Sequence, residues 1–326
     1  MKVLGIGEIV VDKTYILDEF MTEDQKSQSV HSFQSVGGPT PSALALLSNL
    51  GCECIFIGKV GNDENSLFIK NELEKYNIKA DLIYDKKTKV NTVVVNELNS
   101  SRSIIRDTSE NSPIKDIKHH LIKDADIIIF DRHEFEAFQF VMKHKKQGTQ
   151  VILDLSSEYS PKVIDMMKQV NYPIFSIEAV LKSTKQKSKP KINNDFQFEF
   201  SEFGESSETE IGMFGSIFHN DSYFEEPFEE VYKAIGKPFI TTAGKDGVYL
   251  YDGKNLVLKD VLKVNAIDNN GAGDVFRGAF AYGVLQNWSV EKIVDFAIVV
   301  SALQCEKVGN LTAIPKREEI EKYFKF

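Results

Sequence analysis

Hydrophobic positions along the chain fall into short unbroken runs separated by longer stretches of helical spacing. The runs are Val3 to Val11, Cys54 to Ile57, Ala125 to Asp131, Gln150 to Asp154 and Pro238 to Thr242. Apolar on consecutive positions and bounded by Gly or Asp, they have the pattern of strands buried on both faces. Between them, apolar residues recur at helical spacing over 42–50, about 64–76, about 133–146, about 272–286, 289–306 and 316–324. Ser42 is placed to cap the first of these helices and Gly51 to end it. Buried strands alternating with helices predict parallel strands joined by right-handed crossovers. The expected fold is therefore α/β, a doubly wound and mostly parallel sheet with helices on both faces.

Two regions depart from that rhythm. Asn91 to Val95 and Ser103 to Ile105 flank Asn99-Ser100-Ser101, which predicts a hairpin, and the polar, mixed stretch 15–33 is placed to pair with it. Further on, 182–191 carries five lysines and 199–210 five glutamates. This predicts a solvated insertion over 182–222, with a regulatory or partner-binding role as the other reading. No internal repeat is visible, and 1–326 reads as a single domain.

Composition narrows the partners. Lys+Arg 39 against Asp+Glu 48 leaves a net charge of −9, which argues against nucleic acid or an anionic membrane as the main partner. The three cysteines, Cys52, Cys54 and Cys305, form no CxxC pair. No apolar run approaches the roughly 18 residues of a spanning helix. The N-terminal stretch is too short in apolar run and too soon charged for a signal peptide, so the cytoplasm is the expected location.

The segment Asp268 to Gly278 carries the strongest chemical signal. It follows a strand-like run, Val264 to Ile267, and opens a helix with Phe276, Phe280 and Val284 at helical spacing. Gly271 and Gly273 allow a tight turn and close approach of a ligand, while Gly271, Ala272 and Gly273 lie where a helix N-terminus presents free amides to an anion. A carboxylate at that mouth, Asp274, repels a phosphate. It makes sense as a base that removes a proton from an attacking hydroxyl while the amides stabilise the transferring group. Helix capping is the other reading of Asp274.

Asp268-Asn269-Asn270-Gly271-Ala272-Gly273-Asp274 resembles the Asp-Thr-x-Gly-Ala-Gly-Asp signature of the ribokinase-like (PfkB-type) carbohydrate kinases. Gly5 to Asp12 is similar to the family's first strand. Gly37-Gly38 with Ser42-Ala43-Leu44-Ala45 and Leu50-Gly51 is similar to its N-terminal signature, and Gly58 to Asp63 to its next turn. Arg102-Ser103 resembles the lid-strand Arg-Thr, Thr242 to Gly247 the nucleotide loop, and Lys307-Val308-Gly309 through Glu319 the C-terminal close. The order and spacing of these pieces cover most of the chain.

The resemblance implies a ribokinase-like fold with a small β lid from about 13–36 and 88–108, and a homodimer through that lid. It implies ATP-dependent phosphorylation of a primary hydroxyl on a sugar or sugar-like substrate, with Asp274 as base and the Gly271–Gly273 amides as anion hole. Substrate contacts are expected from Asp12, Gly37, Gly38, Ser42 and Arg102. Nucleotide contacts are expected from Thr242, Gly244, Gly247 and Asn269. Mg²⁺ is implied, with Glu178 as its candidate ligand, and K⁺ is possible, since some members bind a monovalent cation near the position of Asn269.

Three positions depart from the family pattern. Ser42 stands where Asn is usual, with less reach and one donor instead of two. Asn269 replaces Thr. Phe175-Ser176-Ile177-Glu178 stands where Asn-x-x-Glu is expected. These departures keep open a weakly active or inactive sugar- or nucleotide-binding sensor, and a nucleoside kinase. Two rivals fail on the residues: Val10 stands at the third glycine of a dinucleotide-binding GxGxxG, and no P-loop GK[ST] occurs.

Overall fold

A computed structural model describes residues 1–98, 102–115, 117–153, 158–184, 215–217 and 222–326. Most of the insertion expected over 182–222, the Asn99 to Ser101 turn and Asp154 lie outside the described residues.

The chain begins with β1 (Lys2–Ile6), β2 (Val10–Leu17), β3 (His31–Gly37), α1 (Pro39–Asn49), β4 (Glu53–Gly61), α2 (Glu64–Lys75) and β5 (Ile78–Asp85). Next come β6 (Lys89–Asn96), β7 (Arg102–Ile105), α3 (His119–Asp124), β8 (Ile127–Phe130), α4 (Phe135–His144), β9 (Gln150–Leu153), α5 (Pro161–Gln169), β10 (Tyr172–Ser176) and α6 (Ile177–Lys182). The last part holds β11 (Gly215–Ile217), α7 (Ser222–Ile235), β12 (Phe239–Thr242), β13 (Val248–Tyr251), β14 (Leu256–Lys259), α8 (Ala272–Leu285), α9 (Val290–Cys305) and α10 (Arg317–Ile320).

Among the described residues the strands form two sheets. The larger has the order β11-β14-β13-β12-β10-β9-β8-β1-β4-β5. It is parallel from β12 to β5, with β13, β14 and β11 added antiparallel at one edge. The core alternates across it as strand geometry requires. Val3, Ile127 and Ile129 join Phe280 and Phe296 on the face covered by α1, α8 and α9, whereas Leu4, Ile6, Ile128 and Phe130 join Phe138 and Phe228 on the other. Each such side chain contributes about 1.5–3 kcal/mol by burial. From β1 the order runs outward to β4 and β5 on one side and to β8, β9 and β10 on the other. The carboxyl ends of β1 and β8 therefore flank a crevice where ligands of open α/β sheets bind.

The smaller sheet has the order β3-β2-β6-β7 and stands apart as the expected lid. β2 pairs antiparallel with β3 and parallel with β6, and β7 closes the predicted hairpin on β6.

Three local expectations are corrected. The run Val3 to Val11 is two strands in two sheets, because the chain leaves β4 after Gly7 N donates to Ile57 O at 3.1 Å. The amide of Glu8 is then taken up by the Asp131 carboxylate. The first helix starts at Pro39, with Gly38 as its N-cap at φ +119°, so Ser42 is a buried helical residue and not a cap. Val264 to Ile267 forms no strand. The amides of Ile267 and Asp268 both donate to Cys305 O, at 2.7 and 3.1 Å, which ties this segment to the end of α9 instead of to a sheet.

Candidate active site

Period-two alternation along β2 turns Asp12, Thr14 and Ile16 to one face, and Val93 and Val95 of β6 join them. Together they wall a cavity of about 260 Å³, closed on its far side by Ile267, Asp268, Asn270, Val308 and Gly309. Arg102, at the start of β7, also borders it, with Nη1 3.5 Å from Asp268 Oδ1. The smaller sheet and the turn before α8 thus face each other across one space.

Asp12 is positioned by its neighbours. The parallel register sets it opposite Asn91, whose Nδ2 donates to Asp12 Oδ1 at 2.9 Å. Burial pushes the Asp12 carboxyl up, against the opposing pull of Asn91 and of the Arg102 and Arg106 charges. A Cβ on Gly37 would fall on Asp12 Oδ2, so only glycine lets β3 run beside this carboxylate. A Cβ on Gly38 would meet Glu8 O.

The turn itself is built on Asp268, whose Oδ1 accepts from Asn270 N at 2.9 Å and Oδ2 from Gly309 N at 2.9 Å. Gly271 then takes φ +77° and caps α8, and Val275 N donates to Gly271 O at 2.9 Å. Helix geometry leaves the amides of Ala272, Gly273 and Asp274 directed out of the helix end, although Ala272 N also lies 3.4 Å from Asn269 O. A Cβ on Gly273 would meet nothing within 4 Å, so the first turn of α8 is open at this position. Asp274 Oδ1 accepts from Arg277 Nη2 at 2.7 Å, a charge-assisted bond that fixes the carboxylate within the first turn. Asp274 does not border the cavity, whose wall reaches the turn at Asp268 and Asn270.

Behind the turn, α9 and the loop after it act as a backing. Ser301 Oγ lies 2.8 Å from Ala297 O and 3.1 Å from Ala272 O, and Gln304 Nε2 lies 2.9–3.3 Å from the carbonyls of Asn270, Gly309 and Asn310. Ser42 belongs to this backing: its Oγ donates to Asn310 Oδ1 at 2.7 Å and lies 3.1 Å from Gly38 O. It is fully buried and does not border the cavity.

Thr242, Gly244, Gly247 and Glu178 sit along the carboxyl edge of the larger sheet and do not border the cavity, whereas Asn269 lies between two residues that do. Thr242 ends β12, with Oγ1 3.4 Å from Phe175 O. Gly244 at φ +61° and Gly247 at φ +107° shape the following turn, and a Cβ on Gly247 would meet Lys259 O. Thr242 is in register with Ser176, two residues before Glu178, which is exposed on the first turn of α6. Asn269 is exposed. Among the described residues no three or more His, Cys, Asp or Glu side chains gather as a metal cage. A Mg²⁺ ion arriving on phosphates would need only one or two protein carboxylates, and the exposed Glu178 is a carboxylate that could serve as one.

Several residues escaped the sequence reading. Arg277 was signalled only by its i,i+3 spacing from Asp274, and Asn91 only by a parallel register that joins distant segments. Asp131, at the end of β8 in the crevice, is fully buried and accepts from the amides of Glu8 and, at 2.9 Å, His133. Burial pushes it up to about 7, with Glu134 and Glu8 adding to the rise. Flanking it, Glu8 pairs with Lys89 at 2.6 Å and Glu134 with Lys59 at 2.8 Å. An apolar run ending in aspartate was its trace in the sequence.

The chain is similar to known proteins in sequence and fold. The profile described as "pfkB family carbohydrate kinase" matches residues 1–172 and 222–317. A ribokinase of Lactococcus lactis is 37% identical over 93 residues, 28% of this chain and 31% of that protein. A 5-dehydro-2-deoxygluconokinase of Clostridium tetani is 24% identical over 100% of this chain and 93% of its own length. The structure of Arabidopsis thaliana ribokinase complexed with ribose and ATP superposes with a TM-score of 0.75 at 18% identity, covering 99% of this chain and 98% of that one.

Proposed function

Because the chain belongs to the pfkB family of carbohydrate kinases, we propose that it transfers the terminal phosphoryl group of ATP to a primary hydroxyl of a sugar or sugar-like substrate, with Asp274 as the base. The observation that carries this reading is the cavity on which Asp12 of the smaller sheet and the Asp268–Asn270 turn converge, beside an open helix mouth. Substrate hydroxyls bind Asp12, whose carboxylate is held by Asn91 and admitted by Gly37. Arg102, from β7 of the same sheet, reaches the substrate beside the Asp268–Asn270 turn.

The Asp274 carboxylate, aimed by Arg277, takes the proton as the hydroxyl oxygen bonds to phosphorus. The bridging P–O bond breaks and ADP leaves. Negative charge on the transferring group falls on the Gly271–Gly273 amides at the mouth of α8, with the Asp274 amide beside them. Glu178 would hold the water shell of a Mg²⁺ ion bound with the nucleotide, and that ion would supply charge to offset the phosphates. Thr242, Gly244 and Gly247 wall the nucleotide, and Asn269 lies at its phosphate end. Ser42 supports the turn through Asn310 and does not touch substrate. A ketose or aldose is the first substrate class to test, followed by sugar acids, polyols and nucleosides.

ADP release measured across such a panel with Mg²⁺ tests the reading. Asp274→Asn is expected to retain ligand binding and lose about 10²–10⁴ in turnover. Near-normal turnover in that variant sinks the base assignment. Ligand-induced stabilisation with no turnover on any substrate would favour a sensor.

A further inference from the structure

The turn that carries Gly271 and Asp274 is gripped from behind by one neutral side chain. Gln304 Nε2 lies 2.9 Å from Asn310 O, 3.2 Å from Asn270 O and 3.3 Å from Gly309 O. Three main-chain carbonyl oxygens from two separate segments thus converge on one nitrogen. Convergent carbonyls of this kind replace the hydration shell of a monovalent cation where such an ion binds. The family resemblance leaves such an ion possible near Asn269. The residues present do not fit one: the place between the carbonyls is filled by the amide.

Two further observations bear on this. Gln304 is fully buried, and its Oε1 has no hydrogen-bond partner. The side chain cannot be reversed to relieve that oxygen, because Oε1 would then face three carbonyl oxygens. The buried orphan is the consequence of keeping a donor between the carbonyls. The adjacent carboxylate of Asp268 is likewise satisfied from within the chain, by the amides of Asn270 and Gly309 and by Arg102.

We propose that the Gln304 amide is a built-in substitute for a monovalent cation, a positioning residue that locks the turn and makes this enzyme independent of K⁺. Gln304 donates two N–H groups where an ion would offer charge, and draws the 309–310 loop onto residue 270. The kinetic part of the test rests on the proposed kinase reading, whereas the stability part does not, so the two can fail separately.

The experiment compares the full-length chain in tetramethylammonium, Na⁺ and K⁺ chloride at constant ionic strength, by thermal unfolding and, where turnover is found, by kcat. The wild-type chain is expected to show the same unfolding midpoint and kcat in all three salts. Gln304→Ala opens the space between the carbonyls. It is expected to unfold at lower temperature in tetramethylammonium and to be restored by K⁺, with kcat rising about 5-fold or more. Gln304→Met fills the space without donors, and K⁺ should not restore it. A wild-type midpoint or kcat that rises specifically with K⁺ overturns the proposal, even if neither variant folds. So does a Gln304→Ala chain that K⁺ does not affect, since Gln304 would then serve packing alone.

Discussion

Gly271→Ala tests the geometry of the turn most directly. At φ +77° the residue is left-handed, which costs an L-residue about 1–2 kcal/mol. The added Cβ would also lie inside 3.0 Å of Asn310 Oδ1, a separation that real Cβ atoms do not show. Asn310 must therefore turn away and release Ser42 Oγ, now held at 2.7 Å in a fully buried position. Ser42 can still reach Gly38 O, at 3.1 Å, so the loss is that of one ordinary hydrogen bond, about 0.5–1.5 kcal/mol. The two effects together come to roughly 1.5–3.5 kcal/mol. Urea unfolding reads this as a lower midpoint at unchanged slope.

A second substitution separates the parts. In Gly271→Ala/Asn310→Ala the overlap is gone, so the double variant should be less destabilised than the sum of the single ones, by about 0.5 kcal/mol or more. Gly273→Ala is the control: its Cβ meets nothing within 4 Å, and its backbone needs no left-handed φ. Its stability should stay within about 0.5 kcal/mol of wild type or rise, as for an exposed helical Gly→Ala change. Its turnover should still fall, because the new methyl occupies ligand space. Should Gly271→Ala unfold within about 0.5 kcal/mol of wild type, the account of the turn is wrong.

Three other outcomes are expected. Burial raises Asp131 from its ordinary 3.8 to about 7, so between those values the folded chain binds the extra proton. The contribution of this site to stability therefore falls as pH rises from about 4 to 7, by roughly 1 kcal/mol per unit, and is level above 7. Unfolding free energies of wild type minus Asp131→Asn should follow that slope, and a difference constant from pH 4 to 8 rejects it. Asp12→Asn removes a charged acceptor for substrate hydroxyls and should raise the sugar KM about 10–100-fold while leaving the ATP KM unchanged; equal effects on both would move Asp12 out of the sugar site. Chelation with EDTA should abolish turnover and leave the unfolding midpoint unchanged, since no metal cage exists among the described residues; a lowered midpoint would reveal a structural ion.

The sequence carried the architecture because buried parallel strands and amphipathic helices are local patterns, and the turn at 268–274 because glycines and carboxylates at a helix mouth are local chemistry. It failed where one residue is decided by another far along the chain. Gly7 and Glu8 look like the middle of a strand until Asp131, from β8, takes the Glu8 amide. Ser42 looks like a cap or a ligand contact until Asn310 arrives from the other end of the chain. Val264 to Ile267 has strand composition, yet its amides go to Cys305. Asn91 and Asp12 meet through a parallel register that no short window contains.

The same long-range construction bears on how the two sheets work together. The turn is fastened to the larger sheet's helices by bonds of 2.7–3.3 Å through Ser42, Gln304 and Gly309. The smaller sheet meets it through Arg102 and Asp268 at 3.5 Å, the outer limit of a hydrogen bond, with both side chains partly exposed. A pair of that kind contributes about 0–1 kcal/mol, too little to hold a sheet closed. At this point the turn is fastened more firmly to the larger sheet's helices than to the smaller sheet. On the proposed reading, a substrate bridging Asp12 and Arg102 of the smaller sheet to the Asp268–Asn270 turn is what draws that sheet down and excludes water from the transfer. It follows that substrate, more than ATP, should protect the amides of β2 and β6 from hydrogen exchange. Equal protection of those strands by ATP alone would show that closure does not depend on the sugar.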